Sequence, residues 1–463
     1  MRKLILLLPF IPMLAGCIED GFTTSPADQP LFSTDTLDMG TVFTEASTTT
    51  HSFTVRNPYS KQLSISDISL SGPAASCFRL NVDGISGERF SAVDIRGKDS
   101  IYVFVEATFP AGEHPVTGYE AKIDFTTNGV VRSVVVTADG QNVRRLHGKI
   151  IEGEENFDST LPYQIFDSLV VAPGARLTIS PGSKLYFHDK SMLIVRGTLI
   201  AEGDVDNPIN MTGDRTGNVV GDVSFDLMSR QWTGVFFTST STGNKLSHVS
   251  LRNTSQGVTV DGNPENTDTQ LTLVNSILRN SGGLVLEAYH SRIDATGCEF
   301  AEASEGIVYL QGGNHTFTHC TFANYYLFSA LGGASVQLAH ISSDEKTGLD
   351  DGSGLPYTTA NFVNCIIYGN GSDLSHADLS GTGITLQRCL LKSAGEDDDN
   401  FIECIWESDP LYYTVRSDYY FDYRVKPDSP AIGAGLTTDT PADWYGTPRA
   451  ATLGAYEFTE REE

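Results

Sequence analysis

Apolar and polar residues alternate in short stretches between residue 31 and residue 143. Examples are residues 51–55 (HSFTV), 101–105 (IYVFV) and 134–137 (VVVT). Alternation of this kind is typical of a strand that buries one face. Glycine, proline or asparagine separates neighbouring stretches. The pattern therefore predicts an antiparallel β-sandwich.

A different pattern repeats after residue 144. Six segments share a small or apolar residue just before an apolar run, and successive positions differ in number by 27, 22, 22, 45 and 24. The positions are Val249, Ser276, Cys298, Cys320, Cys365 and Cys389. Turns of about 22 residues with one double step predict a solenoid whose rungs stack about 4.8 Å apart. The six side chains should then form an interior column.

A helical interpretation of this region fails. Apolar residues do not recur at helical spacing, and glycine interrupts the chain about every ten residues, each costing about 1 kcal/mol inside a helix. The fold class is therefore all-β.

Two stretches near the start of the repeat region and several near its end resemble right-handed parallel β-helix proteins of the pectin-lyase-like class. The stretches are residues 168–187, 193–203, 409–412, 422–425, 428–435, 446–449 and 453–457. The resemblance covers about residues 145–458 and implies a right-handed parallel β-helix over residues 144–463, with a C-terminal cap. We expect the tyrosines between Tyr412 and Tyr423 to shield the open strand edge of the last rungs.

The preceding unit, residues 31–143, resembles the immunoglobulin-like modules of the ASPM-SPD-2-hydin class. The resemblance rests on residues 37–40, 53–57, 63–65, 104–110 and 123–128. Such modules act as spacers or partner-binding units, so the resemblance implies no catalytic role for this unit.

Residues 1–16 have the form of an export signal. Arg2 and Lys3 precede an apolar run that ends at Leu-Ala-Gly-Cys (residues 14–17) and is shorter than the roughly 20 residues that span a bilayer. The ending resembles a bacterial lipobox, which implies acylation of Cys17; an ordinary cleaved signal is the alternative. Residues 17–30 read as a flexible tether whose acidic start resembles a surface-export signal. We therefore expect an outer-membrane lipoprotein, exposed on the cell surface.

The charge balance excludes one class of partner. Lys and Arg number 31 against 58 Asp and Glu, which gives a formal net charge of −27. Such a chain repels nucleic acid. The membrane contact is expected through the acyl anchor.

The cysteines of the repeat favour a ladder of reduced thiols. Metal-binding spacing such as Cys-x₂-Cys is absent from the sequence, and stacked rungs aim side chains alongside one another rather than at each other. Disulfides or a metal site are the alternatives. We expect Cys77 and Cys404 to be buried as well.

Two functions remain open from the sequence. A non-catalytic, adhesin-like scaffold can bind extended ligands such as glycans or partner proteins along the solenoid, with Tyr325 and Tyr326 as sugar-stacking candidates. A polysaccharide lyase or glycoside hydrolase would instead need convergent carboxylates. Acidic side chains occur in residues 343–352, which include Asp350 and Asp351, and in residues 396–399. We expect solvated loops without a cofactor there, with Ca²⁺ binding as the alternative. His290, His315, His319 and His340 lie on neighbouring rungs and are interpreted as packed or turn residues.

Overall fold

The computed structural model describes residues 21–220, 223–342, 354–376 and 378–460. The chain divides into two compact units, with the boundary between Asn142 and Val143. The helical segments in these ranges are three short 3₁₀ turns, Ala75–Cys77, Phe225–Leu227 and Arg416–Asp418. None of the described helices is long and apolar enough to cross a membrane.

The N-terminal unit is a sandwich of two sheets. Its strands are β1 (Leu31–Phe32), β2 (Thr36–Phe43), β3 (His51–Arg56), β4 (Leu63–Ser71), β5 (Phe78–Val82), β6 (Ile85–Gly87), β7 (Arg89–Phe90), β8 (Val93–Ile95), β9 (Ser100–Ala107), β10 (Val116–Thr127) and β11 (Val130–Gln141). One sheet has the order β1-β3-β9-β5-β6 and the other β2-β11-β10-β4-β7, with β8 also paired to β4. All pairings are antiparallel except β2 with β11, which is parallel.

Alternation along the strands builds the core of this unit. On β9, Ile101, Val103 and Val105 are buried, whereas Tyr102 and Phe104 point outward. The inward rows of both sheets meet in one apolar cluster, and Cys77 packs against it half-buried. The unit is therefore a β-sandwich, as the alternation predicted, and its strand pairs are antiparallel except for β2 with β11.

The C-terminal unit is a parallel β-helix. Its strands are β12 (Arg144–Ile151), β13 (Glu154–Phe157), β14 (Tyr163–Val171), β15 (Arg176–Ile179), β16 (Lys184–Phe187), β17 (Met192–Val195), β18 (Thr198–Glu202), β19 (Ile209–Gly213), β20 (Asn218–Val220), β21 (Val223–Ser224), β22 (Gly234–Phe237), β23 (Asn244–Ser247), β24 (Val249–Arg252), β25 (Val258–Asp261), β26 (Leu271–Val274), β27 (Ile277–Ser281), β28 (Leu286–Thr296), β29 (Glu299–Ala303), β30 (Val308–Thr318), β31 (Thr321–Asn324), β32 (Val336–Ala339), β33 (Thr359–Val363), β34 (Ile366–Gly369), β35 (Leu374–Ser375), β36 (Ile384–Gln387), β37 (Leu390–Leu391) and β38 (Phe401–Ile402). All of them except the small hairpin β20–β21 join one 25-stranded sheet.

Each rung of the helix contributes to three parallel faces. Face 1 contains β17, β22, β25, the first half of β28, the first half of β30, β32 and β35. Face 2 contains β18, β23, β26, the second halves of β28 and β30, β33, β36 and β38. Face 3 contains β19, β24, β27, β29, β31, β34 and β37. The interior between the faces is one continuous apolar core.

The six repeat positions lie at the start of face 3 in one interior column. The residues that follow them pair in register from rung to rung, Ile277 with Glu299, Glu299 with Thr321 and so on to Leu390. Val249, Ser276, Cys298, Cys320, Cys365 and Cys389 are all fully buried. The column extends one rung beyond the repeat found in the sequence, because Ile405 pairs with Leu390 and so places Cys404 below Cys389.

The residue before each column position turns the chain from face 2 to face 3 with a positive φ. These residues are His248, Asn275, Gly297, His319, Asn364, Arg388 and Glu403, with φ between 42° and 67°. The left-handed conformation is unfavourable for most side chains, and Asn and Gly adopt it most readily. The bend preserves the inter-rung hydrogen bonds, since the Asn275 and Gly297 amides donate to the Thr296 and Thr318 carbonyls at 2.8 and 2.9 Å.

The chain after residue 409 folds back along the outer side of face 3. Tyr412, Tyr423, Val425, Leu453 and Tyr456 pack there against Ala301, Ala323, Ile366 and Leu390. The tyrosines between Tyr412 and Tyr423 were expected over the strand edge of the last rungs. Tyr412 and Tyr423 instead pack on small and apolar outward residues along the side of several rungs, whereas Tyr419 and Tyr420 are exposed.

Candidate ligand-binding face

The outward side of face 1 presents polar and aromatic side chains in register. One column runs through Phe236, Thr259, Glu287, Tyr309 and Gln337, one residue from each rung. A neighbouring column runs through Asp261, Tyr289 and Gln311. Because rungs repeat about every 4.8 Å, the two columns form a regular strip of side chains along the solenoid.

A groove of about 640 Å³ borders this strip, lined by Phe236, Thr259 and Glu287 from face 1 and by Arg230 and Glu305 from its margin. Gly282 and Gly283 also line it. A Cβ on Gly282 would lie 2.4 Å from Cγ of Arg230, so glycine is what lets the arginine lie across this corner. The Arg230 guanidinium donates to the Gly282 carbonyl at 2.8 Å, which fixes its position.

Hydrogen bonds hold the strip in place. The Tyr289 hydroxyl donates to Oε2 of Glu287 at 3.3 Å, and the Tyr309 hydroxyl donates to Oε1 of Gln311 at 2.7 Å. The two tyrosine rings lie 5.8 Å apart at 51°. Burial raises the pKa of the Glu287 carboxyl, and it raises the pKa of Tyr289 to about 12. Tyr289 therefore remains a hydrogen-bond donor at neutral pH.

This arrangement suits a ligand rich in hydroxyl groups. Carboxylates and amide oxygens accept from hydroxyls, Arg230 donates to them, and the rings of Phe236 and Tyr309 offer apolar surface beside these groups. Among the residues that the structure describes, no group of three or more His, Cys, Asp or Glu side chains is placed to hold a metal ion.

The tyrosines proposed from the sequence do not belong to this face. Tyr326 is only 4% exposed, and its hydroxyl lies 2.7 Å from Oγ of Ser229. A stacking surface must be exposed, so the interpretation of Tyr326 as a ligand contact was wrong. Tyr325 is half-buried with its ring 6.0 Å from that of Tyr423, which makes it part of the packing under the C-terminal segment.

The other candidates from the sequence have local roles or lie outside the described residues. Cys17, Asp350 and Asp351 lie outside them. In the second acidic loop, Oδ1 of Asp398 accepts from the amides of Asn400 and Phe401 at 2.7 and 2.8 Å. That carboxylate stabilises its own turn.

The four histidines do not converge on one site. His315 is buried inside face 2 and contacts the Gly312 carbonyl at 3.0 Å, and burial lowers its pKa to about 4. His319 is buried against Thr438, and burial lowers its pKa to about 4 as well. The rings of His290 and His340 lie 5.8 Å apart at a corner of the helix. His315 and His319 are therefore neutral packing residues.

The cysteines described by the structure are free thiols. Each Sγ in the column contacts backbone carbonyls; that of Cys320 lies 3.6 Å from the Ala295 oxygen and 3.5 Å from the Thr318 oxygen. Burial raises the pKa of Cys298 and of Cys365. Cys298 and Cys365 are therefore protonated parts of the core.

Sequence reasoning missed the residues of face 1, although a signal was present. Glu287 and Tyr309 are separated by the same interval as Cys298 and Cys320, and so are Tyr289 and Gln311. The period that located the interior column therefore also aligns outward positions. The sequence interpretation used that period for inward residues alone.

A second polar cluster lies buried between face 3 and the C-terminal segment. The Tyr456 hydroxyl donates to Oε2 of Glu299 at 2.6 Å, and the Arg279 guanidinium lies 3.5 Å from Oε1 of the same residue. Glu302 accepts from the Tyr423 hydroxyl and from the Tyr325 amide. Burial raises the pKa of Glu302 to about 7. This cluster fastens the C-terminal segment and is closed to ligands.

Fold and site together define an all-β protein in which a parallel β-helix carries an exposed, ligand-sized groove. No family model matches the chain, and no curated protein matches it. Solved structures with distant similarity include the catalytic unit of a GH87 α-1,3-glucanase from Streptomyces thermodiastaticus, at 10% identity over 71% of this chain and 90% of that one, with a TM-score of 0.19.

Two further solved structures match smaller parts. A family 123 glycoside hydrolase from Clostridium perfringens is 10% identical over 26% of each chain, with a TM-score of 0.19, so this chain spans about a quarter of that enzyme. The ASH/PapD-like domain of human CEP192 is 10% identical over 30% of this chain and 97% of that one, with a TM-score of 0.18. Similarity this distant defines no family.

Proposed function

We propose that this protein is a surface lipoprotein of the outer membrane whose β-helix binds an extended glycan along face 1 without cleaving it. The observation that carries the proposal is the groove of about 640 Å³ beside a registered strip of tyrosine, carboxylate and amide side chains. A regular strip suits a polymer, because one ligand unit after another can meet similar groups on successive rungs.

The groove also favours neutral over anionic ligands. Its lining contains one cation, Arg230, and two carboxylates, Glu287 and Glu305. The carboxylates would repel an anionic polymer, and the whole chain is strongly acidic. A hydroxyl-rich neutral chain meets no such penalty.

Replacing Tyr309 with alanine is expected to weaken glycan binding at least tenfold, or about 1.4 kcal/mol, because the ring surface beside the groove is lost. A glycan array followed by calorimetry on the best ligand measures the change. Tyr419→Ala is the matched control, since Tyr419 is an exposed tyrosine outside the groove, and it should bind like the wild type. Equal affinity of both variants would refute the placement of the ligand on face 1.

A glycoside hydrolase is the second candidate. The observation that favours it is the pair of carboxylates in one groove, of which Glu287 has a raised pKa from burial with Glu305 adding to the effect. A protonated carboxyl beside an ionised one is the arrangement that glycoside hydrolysis requires. A product assay on the array ligands separates the two functions. Products that disappear in Glu287→Gln would establish the enzyme, and binding without products would establish the scaffold.

For the membrane anchor we expect Cys17→Ala to move the protein from the membrane fraction to the soluble fraction. In a lipoprotein this sulfur carries a diacylglyceryl group through a thioether, and burial of its acyl chains holds the protein on the bilayer at about 0.8 kcal/mol per CH₂. Cys77→Ala serves as the control and should remain in the membrane fraction. Membrane retention of the Cys17 variant would contradict the anchor.

A further inference from the structure

The N-terminal sandwich carries a groove of its own on the outer side of the sheet that contains β9. Its volume is about 640 Å³, and its lining includes Thr50, Arg79, Asn81, Phe104 and Glu106. The cross-strand pairs Arg79–Glu106 and Asn81–Phe104 place these side chains next to one another. None of them belongs to the β-helix, so this groove is separate from face 1.

Two exposed aromatic rings mark this surface. Tyr102 is 55% and Phe104 is 36% exposed. Their rings lie 5.9 Å apart at an interplanar angle of 20°. The outward side of a sandwich strand is ordinarily polar, and exposed aromatic rings beside a groove indicate a binding surface.

The polar groups around Phe104 are largely held in place. The Thr50 hydroxyl donates to Oε1 of Glu106 at 2.6 Å, and the Arg79 guanidinium donates to Oγ1 of Thr108 at 2.8 Å. The Asn81 side-chain amide donates to Oγ of Ser86 at 3.0 Å, whereas its Oδ1 is buried and accepts no hydrogen bond from any residue that the structure describes. A buried acceptor without a donor is costly, and rotation of the Asn81 amide toward the groove would let a ligand hydroxyl supply the donor.

We propose that this groove is a second glycan site, which takes a neutral sugar residue against Phe104 with a hydroxyl donated to Asn81. A pyranose offers an apolar ring side for the phenylalanine and hydroxyls for the flanking groups. Arg79 supplies one positive charge to the groove, and Glu88 and Glu106 supply two negative charges. An anionic sugar would therefore have no net electrostatic attraction to this site. The polar surroundings distinguish the site from a protein interface, whose centre is depleted of charged residues.

The proposal goes beyond the face 1 groove and is tested apart from it. The full chain with Cys17→Ala, Glu287→Gln and Tyr309→Ala serves as background, because face 1 is disabled in it. Saturation-transfer NMR is recorded with maltose, cellobiose, laminaribiose and chitobiose. We expect transfer to at least one disaccharide, and we expect Phe104→Ser to reduce it at least about fivefold.

Val131→Ser is the matched control, since Val131 is 58% exposed on the other sheet, and it should leave transfer unchanged. Asn81→Ala is a second variant that keeps both rings and should also weaken transfer. The thermal midpoint of each variant verifies that the sandwich is folded. Absence of transfer to all four disaccharides, or transfer that survives both Phe104→Ser and Asn81→Ala, would overturn the proposal. If only the proposal for face 1 is wrong, saturation transfer to the disaccharides will still be observed in the background chain.

Discussion

Replacing Cys320 with aspartate is expected to unfold the β-helix, whereas replacing it with serine leaves the fold intact. Cys320 is fully buried between Cys298 and Cys365, and the polar groups next to its sulfur are the carbonyl oxygens of Ala295 and Thr318, the two neighbouring thiols and the Cys298 backbone. A carboxylate there would lie inside the apolar core beside carbonyl oxygens, with thiols as weak donors. Burial of such an unpaired charge costs about 4 kcal/mol or more.

Serine at the same position has a precedent within the chain. Ser276 lies two rungs earlier in the column, and its hydroxyl donates to the Val274 carbonyl at 2.9 Å. A serine at position 320 can donate to the Thr318 carbonyl in the equivalent way, so we expect a loss of about 1 kcal/mol. Urea unfolding followed by tryptophan fluorescence measures both variants, because all three tryptophans, Trp232, Trp406 and Trp444, lie in the C-terminal unit.

Asn314→Asp is the control for the added charge, because Asn314 is exposed on the same rung. We expect its free energy of unfolding to stay within about 0.5 kcal/mol of the wild type. A Cys320→Asp protein with wild-type stability would show that the column is open to water, and the interior ladder would then be refuted.

The second large effect concerns pH. We expect Glu302→Gln to gain about 3 kcal/mol in the free energy of unfolding, relative to the wild type, as the pH rises from 4 to 8. The ordinary pKa of glutamate is 4.5, and burial raises that of Glu302 to about 7. Between these values the folded protein keeps a proton that the unfolded chain releases. The wild type therefore loses stability as the pH rises through this window, and glutamine removes that loss.

The comparison with glutamine isolates Glu302 from groups that titrate nearby. Tyr423 and the Tyr325 amide contact the carboxyl, and Arg279 and Glu299 lie in the same cluster. The neutral histidines His315 and His319 act in the opposite direction, because their lowered pKa makes the fold less stable as the pH falls from 6.5 toward 4. Urea unfolding at four pH values measures the difference. Glu265→Gln, at an exposed position, is the control, and its stability relative to the wild type should not change with pH. A difference for Glu302→Gln that stays constant with pH would contradict the raised pKa of Glu302.

The interior of the β-helix could be predicted from the sequence because rungs obey a period. A regular interval of one rung places Cys298 next to Cys320 in the column, independently of the loop sequences. The interval before Cys365 is about twice as long, because a longer loop lies there. Cys404 could not be found from the repeat, because its interval from Cys389 is shorter than any other in the column. The shorter last rung still stacks, since the pairing of Ile405 with Leu390 depends on the strand and not on the loop length.

The course of the C-terminal segment could not be predicted in this way. Its contacts join Tyr423 to Glu302 and Tyr456 to Glu299, across 121 and 157 residues. No local pattern encodes such a pairing, because it depends on the outward residues of face 3 being small or apolar at several rungs. Tyr325 and Tyr326 were misread for the same reason. A tyrosine that covers a distant segment and one that faces a ligand look alike in sequence.

The strict alternation on face 1 separates its outward side chains from the residues that build the core. Phe236, Thr259, Glu287, Tyr309 and Gln337 point away from the core, while the residues on either side of each of them point into it. Libraries that randomise only these five codons should yield folded proteins with new specificities, since every hydrophobic anchor is retained. The solenoid is in this respect a ready starting point for engineered affinity reagents.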